Sequence, residues 1–465
     1  MMQTAKEFAQ QNRDNILRDL KRLVDINSIK AEPEEGAPYG AGVRAAQLKA
    51  FEIAKELGFE QTVDCGGFIG YAHSGREDKF LGVIGHLDVV PVGDGWERDP
   101  FDMYEKEGYV MGRGTGDDKG PLLAALYACK YLFDNKIPLK YGIRVLLGCD
   151  EECGMSDLTY YLANYPEPVF AFTPDAGFPV GHGEKGIYSS DLVSAPIVNG
   201  KILSISGGMA SNVVPDRCTV TLDAAYAEAV KKAAEGSDNY DITEEDGKIT
   251  VTAKGQAAHA GMPWGSLNAN LLAVSLLLKA GILEGEEKKA AEFVCNVMND
   301  LDGGFLGIAA EDGRFERNSI IGGMISLTED GRLCLNVNSR YNTAIAPEDI
   351  EKNIENKAAE FGFEVRNVGN SGPYYLEPDS PAVKLMNDIY NSVTGRNDEP
   401  YVMSGGTYAR MMHNAVAFGC EMPGEQAPEW VGTAHMKNEG LSIDILLKSV
   451  EIYAETLRRL QEVDF

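Results

Sequence analysis

The chain is poor in cysteine, histidine and positive charge. Its 465 residues include eight cysteines and six histidines, and 43 Lys and Arg stand against 71 Asp and Glu, a formal charge of −28. The cysteines, at 65, 129, 149, 153, 218, 295, 334 and 420, form no CxxC pair, which argues against a thiolate zinc site. Scattered through a chain of this length they are expected to be reduced and mostly buried, as in a cytoplasmic protein. Cys149 and Cys153 have a spacing that permits a disulfide, but none is expected. No run of Lys or Arg stands out, so no nucleic-acid partner is expected, because phosphate binding relies on clustered cations. No window approaches 18 consecutive apolar residues, so no membrane span is expected. Residues 3–15 carry Lys6, Glu7, Arg13 and Asp14 and so lack the apolar region of a signal peptide. The stretch GTGDDKG, from Gly114 to Gly120, lacks the Lys-Ser/Thr ending of a P-loop and puts two carboxylates where phosphates would sit. Nucleotide binding is therefore not expected either. There is no internal repeat and no low-complexity tract.

What is present is an ordinary globular composition, 44% apolar and 25% charged, in a chain long enough for two or three domains. Ile16, Leu17, Leu20, Leu23 and Val24 recur at helical spacing and predict an amphipathic helix over 4–27. A second helix is expected at 43–57, capped by Gly58, and a third at 121–133, with Pro121 in its first turn. Strand-like segments at 60–72, 80–85, 143–147 and 169–172 alternate with these helices. That alternation predicts an α/β fold with a mixed, mostly parallel sheet flanked by helices. From 186 to 379 the texture changes to strands at 202–206, 219–222, 249–253 and 333–338 with helices at 266–280 and 347–361. The charged stretch 235–248 reads as a solvated loop or hairpin. This segment is expected to be an α+β domain with an antiparallel sheet, inserted into a discontinuous first domain of residues 1–185 and 380–465.

Three strands of the first domain deliver acids or imidazole to one rim. The run LGVIGHLDVV ends in His86 and Asp88; Glu151 and Glu152 follow the apolar run Ile143–Leu147; Asp175 follows Val169–Phe172. In open α/β sheets that carboxyl-end rim is where ligands bind. Singly, each signal has a bland reading: a histidine at a strand end is often structural, a Glu pair is often a solvated turn, and Asp117–Asp118 could simply complement a helix dipole. Jointly, two imidazoles and three or more carboxylates suit two zinc ions about 3.5–4 Å apart, with one carboxylate to bridge them and another to take a proton from water.

The segments GHLDVVPVGDGWERDPF, GRGTGDDKG, DEECG, PDAG, GQAAHAGMPWGSLNA, SGGTYAR and TAHMKNEG occur in this order over nearly the whole chain. In them the chain resembles the co-catalytic zinc peptidases, a family that includes aminoacylases, glutamate carboxypeptidases, succinyl-diaminopimelate desuccinylases and carnosine-type dipeptidases. The resemblance is nearest to the bacterial dipeptidases with an enlarged lid. It implies a catalytic domain of residues 1–185 and 380–465, a lid of residues 186–379, and a broad-specificity dipeptidase with two zinc ions, although manganese or cobalt would suit the same ligands. His86 and Asp175 would bind one zinc, Glu152 and His435 the other, and Asp117 would bridge them. Asp88 would orient His86, and Glu151 would be the general base. In the lid, His259 would stabilise the oxyanion, Arg340 would clamp the substrate carboxylate, and Asn212 would contact substrate. The backbone of Gly405, Gly406 and Thr407 would face the substrate. The resemblance also implies a cis Asp117–Asp118 bond. In dimeric relatives the lid histidine comes from the neighbouring subunit; the long insert here implies a lid that completes its own site, so that a monomer suffices and a homodimer is not required. An N-acyl-amino-acid hydrolase would share this metal chemistry, and a non-catalytic peptide- or metal-binding protein could share the fold. Of the remaining histidines, His73 is expected in a surface loop, His413 in helix packing, and His182 near Asp175 without a direct role.

Overall fold

The computed structural model describes residues 3–465. Contacts within the chain divide it into two compact units: Met1–Gly183, Tyr375–Tyr401 and Gly406–Phe465 form one, and Glu184–Tyr374 with Val402–Gly405 form the other.

The first unit is built on a mixed sheet. Its centre is four parallel strands, in the order Gly142–Gly148, Phe80–His86, Phe170–Thr173 and Ala415–Ala417. Antiparallel neighbours extend it: Ile69–Ser74 and then Gln61–Cys65 on one side, Gly181–Glu184 on the other. Every residue of Phe80–His86 and of Gly142–Gly148 is buried, the pattern of strands covered on both faces. The helix Lys119–Asp134 packs on Ile443–Leu460, and both contribute to one large apolar core with the strands.

The second unit is, among the described residues, an eight-stranded sheet with antiparallel pairing throughout. Its strands Arg217–Asp223 and Lys248–Lys254 alternate buried and open residues, so one face is covered. The buried face lies against Ala269–Ala280 and Gly285–Asn299 in a second core. The charged stretch near 240 is a hairpin, Tyr240–Glu245 with Lys248–Lys254. The two expected sheet types are thus both present.

The structure departs from the sequence reading in several places. The helix expected over 4–27 is two helices, Ala5–Gln11 and Arg13–Val24. They break at Asn12, where both the backbone N–H and the side-chain amide donate to the Phe8 carbonyl, at 3.0 and 2.9 Å. The helices Ala227–Ala234 and Gly285–Asn299 were not foreseen, because the first is short and the second opens on charged residues. His73 is not in a loop; it lies in the buried strand Ile69–Ser74, edge-on to Phe80, and burial and the positive charge of Arg144 lower its pKa. His413 is exposed rather than packed, with its Nδ1 2.7 Å from the Glu167 carboxylate. All eight cysteines are unpaired, and Cys153 is exposed. No helix of the described residues is long and apolar enough to cross a membrane.

One close approach ties this frame to the rim. The Asp117–Asp118 peptide is cis, and Asp118 Oδ2 accepts the His86 backbone N–H at 3.1 Å. Gly85 makes room for it: a Cβ there would lie 2.3 Å from Asp118 Oδ2 and 3.1 Å from Leu122 Cβ. Gly85→Ala is therefore expected to displace Asp118 and the start of its helix, at a cost of about 1–3 kcal/mol. Chemical denaturation of the purified variant measures this; an unchanged midpoint would show that the contact is slack.

Candidate metal centre

The rim brings together side chains that the sequence keeps far apart. His86 ends its strand fully buried, and its Nδ1–H donates to the Asp88 backbone carbonyl at 2.9 Å. That bond puts the proton on Nδ1 and leaves Nε2 free to act as a ligand. Nε2 lies 2.9 Å from Asp117 Oδ1 and 3.8 Å from Asp175 Oδ2. The other Asp117 oxygen, Oδ2, lies 2.9 Å from His435 Nε2, which is itself 3.2 Å from Glu152 Oε2. One carboxylate thus spans two imidazoles. Donor atoms of His86, Asp117 and Glu152, and likewise of His86, Glu151 and Asp175, all lie within 4.8 Å of one another.

Asp88 has a further part. Its carboxylate is 3.5 Å from His86 Nδ1, but its two oxygens also accept the backbone N–H of Glu151 (3.3 Å) and of Glu152 (3.2 Å). It thereby holds the first turn of the short 3-10 helix Glu151–Cys153, where no intrahelical partner exists. From the other side, Asp157 Oδ2 accepts the N–H of Cys149 and of Asp150 and the hydroxyl of Tyr408, at 2.6, 3.2 and 2.6 Å.

A buried ion pair fixes the loops of Asp117 and His435. Glu439 Oε2 accepts from Arg113 at 2.7 Å, and its Oε1 accepts the N–H of Gly114, Gly116 and Asp117 at 3.1, 2.9 and 3.2 Å. Arg113 also donates to the His435 carbonyl at 3.3 Å. His435 has φ of +66°, a left-handed conformation that a non-glycine residue keeps only when its surroundings enforce it. Arg113 lies in GRGTGDDKG and Glu439 in TAHMKNEG, and the only sequence signal for their pairing is a base in one motif and an acid in the other.

The electrostatics of this cluster favour added positive charge. Burial and repulsion from Asp117 push Asp175 up to about 8, and burial together with Asp175 pushes Glu151 well above the usual carboxylate range. Hydrogen bonds to Asp117 and Glu152 lift His435 to about 10. Burial opposes a charged His86, yet Asp117, Asp88 and Asp175 still raise its pKa. Carboxyls that resist ionising beside imidazoles that resist losing a proton mark a local surplus of negative charge, which divalent cations neutralise. Two imidazoles and several carboxylates are also the donor chemistry of such ions. The residues present therefore fit a metal centre.

The remaining sequence candidates gather in the second unit. His259 pairs with Val213, and the Ala260 N–H donates to the Asn212 carbonyl at 2.9 Å. His259 Nδ1 accepts the Gly261 N–H at 3.1 Å, so the ring proton is on Nε2. Partial burial and the charge of Arg340 lower its pKa. Arg340 lies near the end of Leu333–Tyr341, opposite Ser319 and Ile187. Gly261 is in close contact with Ser404, which sets Gly405 beside this turn. Gly406 belongs to the first unit, where Thr407 caps the turn Tyr408–Met411 by accepting the Ala409 N–H at 3.2 Å. His182, buried in its strand, bonds through Nδ1 to the Leu376 carbonyl at 2.7 Å.

Comparison with known proteins gives consistent results. Residues 82–459 match peptidase family M20/M25/M40. The chain is 33% identical over 473 residues to the Beta-Ala-Xaa dipeptidase of Lactobacillus delbrueckii subsp. lactis, covering 98% of each. Among solved structures it resembles the dipeptidase Dug1p of Saccharomyces cerevisiae, with a TM-score of 0.60 and 13% identity over 99% of this chain and 98% of that one. It also resembles the YXEP protein of Bacillus subtilis, a dinuclear metal-binding peptidase of the M20 family, with a TM-score of 0.50 and 12% identity over 98% of this chain and all of that one. At these identities the two structures bear on the fold alone.

Glu439→Gln is expected to leave Arg113 buried without its partner charge, at a cost of about 3–5 kcal/mol. It should also lower the metal content of the purified protein, measured by elemental analysis. Full metal loading in a destabilised variant would show that the ion pair serves the fold but not the site.

Proposed function

We propose, from the premise that this chain belongs to peptidase family M20/M25/M40 and is a metallopeptidase, that it is a dipeptidase of broad specificity. The observation that carries the reading is the Asp117 carboxylate, with one oxygen 2.9 Å from each of two imidazoles and the Glu151 carboxyl in the same cluster. His86 and Asp175 would hold one divalent cation, Glu152 and His435 the other, and Asp117 both. Zinc suits these ligands, as would manganese or cobalt. When bound, the cations polarise the scissile carbonyl and make water nucleophilic at neutral pH.

The residues of the chain supply the rest. Glu151 takes the proton of the attacking water and returns it to the leaving amine. Asp88 fixes both the His86 tautomer and the turn that carries Glu151. His259 donates its Nε2–H to the carbonyl oxygen as charge develops there. The planar fork of Arg340 pairs with the substrate's terminal carboxylate. Asn212 and the backbone of Gly405, Gly406 and Thr407 border the dipeptide. Residues 1–185 and 380–465 act as the catalytic domain and 186–379 as the lid. The molecule acts as a monomer, and its unpaired cysteines suit the cytoplasm.

Incubating the purified protein with neutral dipeptides and zinc, manganese or cobalt should release both amino acids. If only N-acylated amino acids are cleaved, the protein is an amidohydrolase, and if neither is cleaved the catalytic reading fails. Glu151→Ala should lower kcat by about 10²–10⁴-fold with metal content close to that of the unaltered protein. Loss of metal instead would make Glu151 a ligand and not the base.

A further inference from the structure

Beside the metal centre, in the first unit, lies a cavity of about 200 Å³. Its walls include Gly116, next to Asp117, and Ala434, next to His435, so it adjoins both loops that carry the bridging carboxylate and its second imidazole. Cys420, Met422, Leu441 and Ile445 give it an apolar lining. Two acids, Glu421 and Glu425, complete it. The Glu421 backbone is fixed by pairing with Gly177 and by accepting the Phe178 N–H at 2.8 Å. Its carboxylate, by contrast, takes no hydrogen bond or ion pair among the described residues. Arg396, whose charge acts on Glu425, is already bonded to Asp398 and to the Pro423 carbonyl, at 2.6 and 2.7 Å. The cavity lining therefore combines apolar side chains, neutral polar residues and a carboxylate with no partner among the described residues.

We propose that this cavity is the subsite for the side chain of the substrate's first residue and that Glu421 selects a basic one, of lysine or arginine type. This rests on the dipeptidase reading. There Arg340 of the second unit holds the carboxylate of the last residue, which leaves the first residue to the unit that contains the cavity. A lysine-type side chain matches the lining along its length: the methylene stem covers apolar surface and the cationic head meets a carboxylate. The volume accepts one long side chain and is below that of a pocket for a larger ligand. Shielding by the cavity walls and the charge of Asp117 raise the Glu421 pKa, which marks a carboxylate short of a positive partner. The net charge of −28 adds long-range attraction for cationic substrates.

The test compares kcat/KM for Lys-Ala, Ala-Lys and Ala-Ala in the metal-loaded protein and in Glu421→Gln and Glu421→Lys. Lys-Ala should be favoured over Ala-Ala by about tenfold, the ratio that about 1.4 kcal/mol of one charged contact gives. The ratio should fall towards one in Glu421→Gln and below one in Glu421→Lys. Equal rates for Lys-Ala and Ala-Ala in the unaltered protein would overturn the subsite while leaving the dipeptidase reading standing. A preference for Ala-Lys would overturn it as well. A matching loss on all three substrates in Glu421→Gln would mean that the carboxylate holds the α-ammonium and would also overturn the proposal. Failure to cleave any of the three would instead strike the dipeptidase reading itself. Circular dichroism of both variants confirms that they are folded.

Discussion

Everything at the rim depends on holding several carboxylates close together in a place with little water. Asp117, Asp175, Glu151 and Glu152 come from three different loops, and left to themselves they would repel. The fold opposes that repulsion with rigid backbone. Asp88 collects the N–H groups of Glu151 and Glu152, Asp157 collects those just before them, and Glu439 collects three from the loop of Asp117. Each acid that gathers N–H groups fixes a loop whose own acid faces the site. The surplus charge is what makes the place receptive to divalent cations.

The second unit solves a different problem. It carries a histidine whose Nδ1 accepts the Gly261 N–H and whose pKa is lowered by burial and by the charge of Arg340. In the proposed reaction a donor of that kind suits an oxygen gaining negative charge, whereas the carboxylates of the first unit suit cations and proton transfer. The interrupted chain is one way to keep the two sets of groups apart in sequence and in folding units.

Part of the candidate metal centre was legible because His86, Glu151, Glu152 and Asp175 follow apolar strands, whereas Asp117 and His435 were legible only through the family motifs. The structure brings donor atoms of these residues close together. The supporting groups were not legible. Glu439 and Arg113 lie 326 positions apart and look like ordinary charges in glycine-rich loops until they meet. Asp157 and Tyr408 lie 251 positions apart, yet their 2.6 Å contact joins the turn of the proposed base to the turn capped by Thr407. His73 and His413 were misread in opposite directions, because burial depends on neighbours in space. His73 is covered by Phe80 and Arg144 from other strands, whereas the His413 side chain is exposed beside Glu167.

The sequence by itself determined the two sheet types, many of the elements, and the supply of imidazole and carboxylate. These follow from local periodicity and from residue chemistry, which do not need the fold. The tertiary structure alone decided which oxygen of Asp117 meets which imidazole, which carbonyl sets the His86 tautomer, and which acids serve as scaffolding. It also decided that the Glu421 carboxylate has no hydrogen-bond or ion-pair partner among the described residues. Those are matters of distance and desolvation between residues remote in the chain, and burial is what gives an ordinary acid an unusual affinity for protons and cations.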